Sequence, residues 1–392
     1  MPKILRIINR FNLGGPSYNV SYLSKFLEPA YNTLLAGGPE EPGEVSSLYI
    51  AENLGLKPLV ISEMQRSINP LNDYFAYLRI KKIIQEFKPD IIHTHASKAG
   101  AIGRLAAIRC KVPVIVHTFH GHVFHSYFSK LKTAFIIRLE KYFASRSSAI
   151  VAISEIQKKE LSEVYKICAP EKIHVIPLGF DLAKFQENAA EKRSKFRDKY
   201  TVDENTILIG IIGRFAPIKN HFLFIKAVAF VLKNFTAKKI QAVFVGDGPL
   251  KNEMQQLIKS EGLSYTGLTA DFIFAGWEKE VEQVLPAFDL VCMSSDNEGT
   301  PVSLIEAQAA GKFVVSTNVG GIEDILNPQC GLLSPKGDLT AFSQNLLKAL
   351  QNIEIFSANA KMGQEEIIKK FSYERLCSDM DKLYKKLLSE KK

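Results

Sequence analysis

Long apolar runs are missing from this sequence of 392 residues. A membrane-spanning helix needs about 20 consecutive apolar residues, and the apolar stretch from Phe222 to Leu232 is interrupted by Lys226. The first ten residues contain no uninterrupted apolar segment and no small-residue cleavage site, so they do not predict a signal peptide. The sequence therefore predicts no membrane span, and the expected location is the cytoplasm.

Paired cysteines are absent as well. The five cysteines are an odd number, are widely scattered and form no Cys-x-x-Cys pair. Disulfide frameworks and thiolate metal sites are built from cysteines at short, repeated spacings. The cysteine pattern therefore fits a reducing compartment and favours neither kind of site.

Negative charge is scarce in the first half of the chain. Residues 1–180 hold 23 Lys and Arg against 14 Asp and Glu, whereas the remainder holds 27 of each. The whole net charge of +9 therefore lies in the first half. An anionic membrane surface or a phosphorylated substrate fits such a half. The basic residues are spread among predicted helices and form no single arm, which disfavours nucleic acid as a partner.

Short apolar runs alternate with helical patterns along the whole chain. With 46% hydrophobic and 23% charged residues, the composition is that of a globular protein, and the length predicts two domains. Buried strands that alternate with helices predict parallel sheets covered on both faces. The predicted strands are Ile4–Ile8, Pro58–Ile61, Ile91–His93, Val112–Thr118, Ala149–Ala152, Val175–Ile176, Ile207–Ile212, Gln241–Val245, Asp271–Ala275, Leu290–Met293 and Lys312–Ser316.

The fold class predicted from this order is α/β, with two Rossmann-like, doubly wound parallel sheets that face a cleft. The first domain is predicted over 1–182 and the second over 205–371, and the polar segment 183–204 is predicted to link them. A last helix within 372–392 carries apolar residues at helical spacing, so one of its faces must be buried.

One segment after a predicted strand carries an unusual set of polar residues. Thr300 is a reasonable N-cap for the helix that follows, with Pro301 at its first position. The free amides from Thr300 to Ser303 and the helix dipole then predict an anion site. Glu298 and Glu306 flank it, and carboxylates can accept hydrogen bonds from vicinal hydroxyls. A phosphate site beside two hydroxyl acceptors describes a nucleotide sugar; solvated glutamates at an ordinary helix start are the alternative.

Cations follow the first strand of the predicted second sheet. Arg214 and Lys219 come just after Gly213, and Arg and Lys can hold a diphosphate leaving group through bidentate and point-charge contacts. The alternative is a pair of unrelated surface cations. The nearby turn around Asp247 is weak evidence by itself, since such turns often merely connect elements.

The first half offers a glycine pair and a group of histidines. Gly14-Gly15 opens a helix but is not the dinucleotide fingerprint Gly-x-Gly-x-x-Gly, which argues against hydride transfer. Six of the eight histidines lie between His93 and His125. A zinc cluster is the alternative, but the segment Thr118–His122 has no His-Glu-x-x-His arrangement and no cysteine thiolate. We therefore expect one histidine, His120, to polarise a ligand oxygen, and no metal.

Taken together, these motifs resemble the family 4 glycosyltransferases, and the resemblance covers essentially the whole chain. The motifs that carry it are Gly14-Gly15, Thr118-Phe119-His120, Val151-Ala152-Ile153-Ser154, Ile176-Pro177-Leu178-Gly179-Phe180-Asp181, Gly213-Arg214 with Lys219, Val245-Gly246-Asp247-Gly248-Pro249, and Glu298 with Glu306 eight residues later. Such enzymes have the GT-B architecture, and their last helix crosses back onto the first domain.

The resemblance implies a role for each matching residue. Arg214 and Lys219 resemble the pair that binds the diphosphate, with Glu298 at the donor sugar hydroxyls and Glu306 at the nucleotide ribose. His120 resembles the histidine near the donor sugar. The remaining donor contacts are expected at Gly15, Gly213, Asp247, Gly299, Thr300, Pro301 and Val302. The His-rich segment His122–Phe128 departs from the commonest form of the family, so it does not identify the acceptor.

The activity implied by the resemblance is transfer of a sugar from a nucleotide diphosphate donor, with UDP the expected nucleotide, with retention and without a metal or other cofactor. The expected acceptor is a saccharide or lipid-linked saccharide of cell-envelope polysaccharide, O-antigen or capsule synthesis. A sugar-nucleotide epimerase of the same architecture and a non-catalytic sugar-nucleotide-binding protein are the alternatives.

A helix pattern in residues 130–143 mixes apolar and cationic side chains, and Phe124, Tyr127 and Phe128 precede it. Such a helix can rest on anionic lipid without spanning it. Two interpretations stay open: peripheral contact with the inner face of the cell membrane, or an internal helix with solvated lysines.

Overall fold

Two parallel sheets organise the chain in the computed structural model, which describes residues 1–41, 44–65, 67–121, 130–267 and 269–391. Contacts divide the chain into a first unit, Met1–Phe180 with Phe371–Lys392, and a second unit, Asp181–Lys370. None of the helices in the described ranges is long and apolar enough to cross a membrane.

Seven strands form the sheet of the first unit. In chain order they are β1 (Lys3–Arg10), β2 (Asn32–Gly38), β3 (Leu59–Val60), β4 (Ile91–His95), β5 (Val114–Phe119), β6 (Ala149–Ala152) and β7 (Ile173–Val175). The order across the sheet is β3-β2-β1-β4-β5-β6-β7, and all neighbours are parallel. The helices of this unit are α1 (Gly15–Phe26), α2 (Leu48–Asn53), α3 (Pro70–Phe87), α4 (Ser97–Arg109), α5 (Lys130–Arg146) and α6 (Glu155–Lys159), together with the last helix of the chain.

Strand β1 shows why helices cover both faces of this sheet. Its side chains alternate between the faces because successive residues of a strand point in opposite directions. Ile4 packs in one apolar cluster with residues of α1, whereas Leu5 and Ile7 pack in another with residues of α3 and α4. Every one of these side chains is fully buried, so both faces of the strand contribute to the core.

The second unit repeats the arrangement with six strands. They are β8 (Ile207–Ile212), β9 (Ile240–Val245), β10 (Phe272–Gly276), β11 (Leu290–Met293), β12 (Phe313–Thr317) and β13 (Gly331–Ser334), in the order β10-β9-β8-β11-β12-β13. The helices are α7 (Ala189–Lys199), α8 (His221–Asn234), α9 (Lys251–Ser260), α10 (Val302–Ala309), α11 (Ile322–Ile325), α12 (Leu339–Gln351) and α13 (Ile353–Phe371). The predicted pair of parallel α/β sheets is thus what the structure contains.

The segment predicted as a linker, 183–204, is folded within the second unit. It contains a short 3₁₀ turn, Ala183–Phe185, and helix α7. Arg197 of α7 is 1% exposed and binds Asp289 at 2.7 Å as well as the carbonyl oxygen of Thr206. A polar helix therefore belongs to this unit because its arginine is buried in hydrogen bonds.

The last helix, α14 (Tyr373–Ser389), packs on the first unit, as the sequence predicts. Its apolar face joins the cluster that contains Ile4 and the α1 residue Leu23. Ser372 caps it by accepting a hydrogen bond from the Arg375 amide at 3.2 Å. The chain enters this region beside residue 180, because the Phe180 amide donates to the Phe371 carbonyl at 2.8 Å.

Candidate active site

The loop after β8 holds two of the predicted cations. It runs from Gly213 to Asn220 and closes with a 3₁₀ turn over Pro217–Lys219. Asn220 has a left-handed backbone with φ 44°, and its side chain accepts a hydrogen bond from the Leu223 amide at the start of α8. Arg214 is exposed on this loop, whereas Lys219 is partly buried.

A second glycine-containing loop supports the first. Gly246 has φ 145°, and a Cβ atom there would lie 2.1 Å from the Gly213 carbonyl oxygen. The Phe215 amide donates to the Asp247 carbonyl at 2.9 Å. The Asp247 carboxylate accepts a hydrogen bond from the amide of Gly248 at 2.8 Å. In the structure Asp247 thus orders its own turn against the cationic loop; its predicted contact with the donor stays a prediction.

The loop after β11, residues 294–301, lies directly against the cationic loop. The Asp296 amide donates to the Ile218 carbonyl at 2.8 Å, and the Asn220 side chain donates to the Asp296 carboxylate at 3.2 Å. The Ser294 hydroxyl donates to the Lys219 carbonyl at 3.1 Å. Since β8 and β11 are neighbouring parallel strands, their carboxyl ends meet at one edge of the sheet, where ligands bind in such folds.

Lys219 and Glu298 form an ion pair between these two loops. Lys219 Nζ lies 2.6 Å from Glu298 Oε1, with side-chain exposures of 26% and 11%. The same carboxylate oxygen accepts a hydrogen bond from the Ser295 hydroxyl at 2.6 Å. The structure therefore brings together two of the residues that the sequence singled out, and it adds Ser295 as their partner.

Gly320 and Gly321 fix the backbone of the glutamate loop, and the sequence analysis did not single them out. Gly320 has φ 58°, and a Cβ atom there would lie 1.7 Å from the Glu298 carbonyl oxygen. The Gly321 amide donates to the Gly299 carbonyl at 2.9 Å. Only glycine allows this approach, because any side chain at position 320 would overlap the loop.

The start of α10 differs by one residue from the prediction. The helix begins at Val302, and Pro301 with φ −72° and ψ 107° is its N-cap. Thr300 is therefore not the N-cap, because it lies one residue before it. The backbone of Pro301 is extended, so the first helical residue is Val302. The amides of the first turn of a helix have no partner within the helix, so the predicted anion site moves to the amides after Pro301.

Glu306 lies farther along α10 and, like Glu298, is partly buried. Burial raises the pKa of its carboxyl to about 8, an effect that nearby Lys184 opposes and Glu282 adds to. Lys184 and Glu282 are themselves paired at 3.1 Å. At neutral pH the Glu306 carboxyl is therefore mostly protonated, and a protonated carboxyl can both donate and accept hydrogen bonds with sugar hydroxyls.

In the first unit, Gly15 begins α1 directly after the loop that follows β1. Gly14 is the N-cap, and its carbonyl accepts a hydrogen bond from the Ser17 amide at 3.1 Å. The Ser17 hydroxyl donates to the Asn12 carbonyl at 2.7 Å, which ties the helix start to the strand end. Gly15 thus lies at a helix N-terminus at the carboxyl edge of the sheet, the position expected for a backbone contact with phosphate.

His120 follows β5 at the same edge of the first sheet. Its Nε2 lies 2.9 Å from Nδ1 of His95, the last residue of β4, and the two rings are stacked. Burial lowers the pKa of His120 to about 3, so its imidazole is neutral at physiological pH. A neutral imidazole can donate to one group and accept from another, and His95 occupies one of these two sites.

A buried polar network next to His95 was not predicted from the sequence; the rings of His93 and His95 lie 4.1 Å apart between centroids. His93 Nδ1 lies 3.0 Å from Arg6 Nη1 and 2.5 Å from the Tyr384 hydroxyl, and its Nε2 lies 2.7 Å from the Thr118 hydroxyl. Because guanidinium can only donate, Nδ1 accepts and the proton of His93 resides on Nε2. Burial lowers the pKa of His93 well below its usual value.

Metal binding is the alternative role for these histidines. Among the residues that the structure describes, no three His, Cys, Asp or Glu side chains are grouped so that they could hold a metal ion. His122 and His125 lie outside the described residues. The expectation that catalysis needs no metal stays a prediction.

Two family models match the chain. The model described as Glycosyltransferase Family 4 matches residues 36–184, and the model described as Glycosyl transferases group 1 matches residues 206–352. The chain belongs to the family 4 glycosyltransferases. The predicted family and transferase activity are thereby confirmed, and the epimerase and binding-protein alternatives gain no support.

Named relatives of this glycosyltransferase match most of its length. It is 26% identical to the UDP-Gal:alpha-D-GlcNAc-diphosphoundecaprenol alpha-1,3-galactosyltransferase of Escherichia coli over 84% of each chain. It is 23% identical to the capsular polysaccharide biosynthesis glycosyltransferase CapM of Staphylococcus aureus, over 83% of this chain and 84% of the relative.

Solved structures show the fold. HepE of Anabaena, crystallised with UDP, aligns with a TM-score of 0.81 at 20% identity, covering 98% of this chain and 100% of HepE. The sucrose-phosphate synthase of Thermosynechococcus elongatus aligns with a TM-score of 0.79 at 18% identity over the whole of both chains. The glycosyltransferase thus has the GT-B fold.

Proposed function

We propose that this glycosyltransferase moves a sugar with retention from a UDP-sugar to a saccharide or lipid-linked saccharide acceptor in cell-envelope polysaccharide synthesis. The observation that carries the proposal is the Lys219–Glu298 pair, 2.6 Å apart between two loops at the carboxyl edge of the second sheet. A lysine ammonium can bind the negatively charged diphosphate, and a carboxylate can accept hydrogen bonds from sugar hydroxyls. A single nucleotide sugar can therefore contact both residues.

The comparisons support the choice of donor and acceptor. The E. coli relative is named for a UDP-galactose donor and a diphosphoundecaprenol-linked acceptor, and CapM is named for capsular polysaccharide synthesis. HepE was crystallised with UDP. These names suggest UDP as the nucleotide and a lipid-linked or polysaccharide acceptor for this chain.

In the proposed reaction, the bond between the anomeric carbon and the donor diphosphate breaks and the diphosphate leaves with the electron pair. The acceptor hydroxyl forms its bond on the same face of the sugar, and its proton passes to the departing phosphate. Lys219, exposed Arg214 and the first-turn amides of α10 stabilise the charge that appears on that phosphate, which is the largest catalytic contribution we assign. With the charge held in this way, we expect no divalent metal to be required.

Donor identity is tested first by thermal shift with a panel of nucleotide sugars. A UDP-sugar is expected to raise the Tm most, since ligands that bind only the folded state stabilise it. Stabilisation by GDP-sugars alone would contradict the choice of uracil. Turnover is then measured with and without EDTA, and a loss of activity on chelation would contradict metal independence.

Incubation with donor alone separates transfer from epimerisation. A transferase without acceptor releases at most free sugar and UDP by slow hydrolysis. Conversion of the UDP-sugar into another UDP-sugar of equal mass would instead support the epimerase alternative.

We also propose that the first unit contacts an anionic membrane surface. Helix α5 exposes Leu131 (85%) and Phe135 (68%) beside the exposed cations Lys132 and Arg138, while its other side is buried through Phe143. The structure adds a second helix with the same character, because α3 exposes Leu71, Tyr74 and Phe75. Apolar side chains next to cations favour the interface of anionic lipid. The aromatic residues Phe124, Tyr127 and Phe128 lie outside the described residues.

Vesicle flotation tests this contact. We expect binding to vesicles that contain phosphatidylglycerol and little binding to pure phosphatidylcholine. The variants Leu131→Asp and Phe135→Asp should reduce binding, whereas Ile355→Asp, which changes an equally exposed apolar residue of the second unit (61%), should not. Equal flotation of all three variants would contradict the assignment of this surface.

A further inference from the structure

The second unit contains a cavity at the edge of its sheet opposite to the Lys219–Glu298 loops. Its volume is about 530 Å³, within the range of small-molecule sites. Asp289 and Lys312 line it, and they directly precede β11 and β12. The cavity therefore lies at the amino ends of these strands, whereas the proposed donor loops follow strand carboxyl ends. It is a separate place on the molecule, and the donor assignment does not depend on it.

Positive charge exceeds negative charge in the lining of this cavity. Arg193 of α7, Lys312 and Lys361 of α13 are the cations, and Asp289 is the carboxylate. Asp289 is already bound by the buried Arg197 at 2.7 Å and by the Leu208 amide at 2.8 Å. Its charge is thus satisfied from within the fold, which leaves the cavity cationic.

Lys312 is the most unusual of these cations. It is partly buried, and its Nζ donates to the Pro286 carbonyl at 2.9 Å. Within the described part of the chain, no carboxylate lies within ion-pair distance of this ammonium, which has three protons to donate. The pKa of Lys312 is lowered to about 8, chiefly by burial; Asp289 opposes this shift, and the positive charges of Arg193, Lys361 and Arg197 add to it.

The positive charge of the Lys312 ammonium is therefore not balanced by a nearby carboxylate, and a bound anion would balance it. Arg193 lies beside it with a guanidinium that contacts Asp289 at 3.0 Å and the Ala287 carbonyl at 3.0 Å, so its orientation is fixed before any ligand arrives. Gln364 and Ser357 add neutral polar groups to the wall. Fixed cations beside neutral hydrogen-bonding groups suit a phosphate attached to a hydroxylated body.

We propose that this cavity binds a phosphorylated small molecule the size of a sugar phosphate, whose phosphate group is held by Lys312 and Arg193, with Lys361 at the cavity wall. The site is distinct from the donor site and takes a phosphate monoester or free phosphate.

Calorimetric titration of the full chain with inorganic phosphate and with glucose 6-phosphate tests the proposal. We expect Lys312→Met to weaken binding at least about tenfold, as loss of a charge-assisted hydrogen bond does, and Lys361→Met to weaken it roughly threefold. Lys348→Met, an exposed lysine of α12, and Lys219→Met in the donor loops should leave it unchanged. Tighter binding of the ester identifies a monoester site, and equal binding identifies a phosphate site.

A measurement on the unmutated protein covers the case that Lys312→Met fails to fold. The pKa of the Lys312 amine, followed by NMR of isotope-labelled lysine, is expected to rise when glucose 6-phosphate is added, because the anion stabilises the charged form. No binding of either ligand at millimolar concentration, an unchanged Lys312 titration, or loss of binding confined to Lys219→Met would overturn the proposal.

Discussion

Lys219 Nζ and Glu298 Oε1 lie 2.6 Å apart, although 79 residues separate them in the chain. The pair forms because β8 and β11 are neighbours in the sheet, so the loops that follow them meet. The two loops are also joined by hydrogen bonds that involve neither side chain of the pair, namely Asp296 N to Ile218 O at 2.8 Å, Asn220 to Asp296 at 3.2 Å and the Ser294 hydroxyl to the Lys219 carbonyl at 3.1 Å. The arrangement of the two loops should therefore survive substitution of either Lys219 or Glu298.

Replacing Lys219 by alanine should lower turnover far more than stability. In the proposed function, the Lys219 ammonium stabilises negative charge on the leaving diphosphate. Loss of one preorganised group of this kind lowers kcat by roughly a hundredfold to a thousandfold. The measurement is kcat with the UDP-sugar that gives the largest thermal shift. Lys226→Ala, at an exposed position of α8, is the control. Unchanged donor turnover in Lys219→Ala would remove the assignment.

Gly320→Ala should disturb the glutamate loop, and Gly337→Ala provides a matched comparison. Both glycines have positive φ, 58° and 70°, but a Cβ atom at 320 would overlap the Glu298 carbonyl, whereas nothing lies within 4 Å at 337. We expect Gly337→Ala to lose about 1 kcal/mol from backbone strain alone and to keep its activity. Gly320→Ala should lose more stability and at least about tenfold in kcat/KM. Equal behaviour of the two variants would show that the contact is unimportant.

Glu306→Gln should change how stability depends on pH. Burial raises the pKa of the Glu306 carboxyl from 4.5 to about 8 in the folded protein. Between these values the unfolded chain releases the proton and the folded chain keeps it, so this group's contribution to stability falls as pH rises. Glutamine mimics the protonated form and carries no such loss. The free energy of unfolding of the variant, measured in urea, should therefore gain on the unmutated protein by roughly 1–3 kcal/mol between pH 5 and pH 8. A difference that does not vary with pH would contradict the buried, protonated carboxyl.

His120→Gln should lower turnover without altering the shape of the pH–rate profile. Because burial lowers the pKa of His120 to about 3, its imidazole is neutral from pH 5 to pH 9 and acts as a hydrogen-bonding group. Loss of its predicted contact with the substrate should cost roughly tenfold to a hundredfold in kcat. The profile of kcat/KM against pH checks this. An inflection near pH 6.5 that vanishes in the variant would show that His120 titrates during catalysis.

Tyr384→Phe should destabilise the first unit. The Tyr384 hydroxyl is fully buried and lies 3.1 Å from Arg6 Nη1 and 2.5 Å from His93 Nδ1. Removing it leaves a guanidinium proton without its acceptor, at a cost of about 1–3 kcal/mol. Urea denaturation measures the loss. Tyr74→Phe, on an exposed ring of α3 (57%), should change stability by less than about 0.5 kcal/mol.

Much of the fold follows from the sequence, because buried parallel strands are continuous apolar runs. The two strands that the pattern did not predict, β2 and β13, both contain glycine. In β2, a Cβ atom at Gly37 would lie 2.6 Å from the Ile8 side chain, and one at Gly38 would lie 1.8 Å from the Met64 carbonyl oxygen. Glycine is needed here for close packing, yet in a sequence it is typical of turns.

Candidate site residues can be found in the sequence where they stand in a turn next to an apolar strand. Contacts between distant segments of the chain leave no such pattern. Gly213, Lys219 and Glu298 stand in recognisable turns next to apolar strands. Gly320 and the bond between Arg6 and Tyr384 depend on chain segments that come together only in the folded unit. No spacing in the sequence indicates that residues 378 positions apart share a hydrogen bond. The N-cap of α10 was misplaced for a smaller reason, since threonine is the better cap and proline the better first residue.

Helix α14 affects the order in which the two units can fold during synthesis on the ribosome. The cluster around Ile4, Leu23 and Val116 is completed by Met380, Leu383 and Tyr384, so the unit that emerges first lacks part of its interior until residues 371–392 have been translated. Until then Arg6 lacks its hydrogen bond to the Tyr384 hydroxyl, and the apolar side chains that α14 covers on the first sheet are exposed to water. The later-made second unit needs no such return segment, and it is therefore the one that can finish folding first.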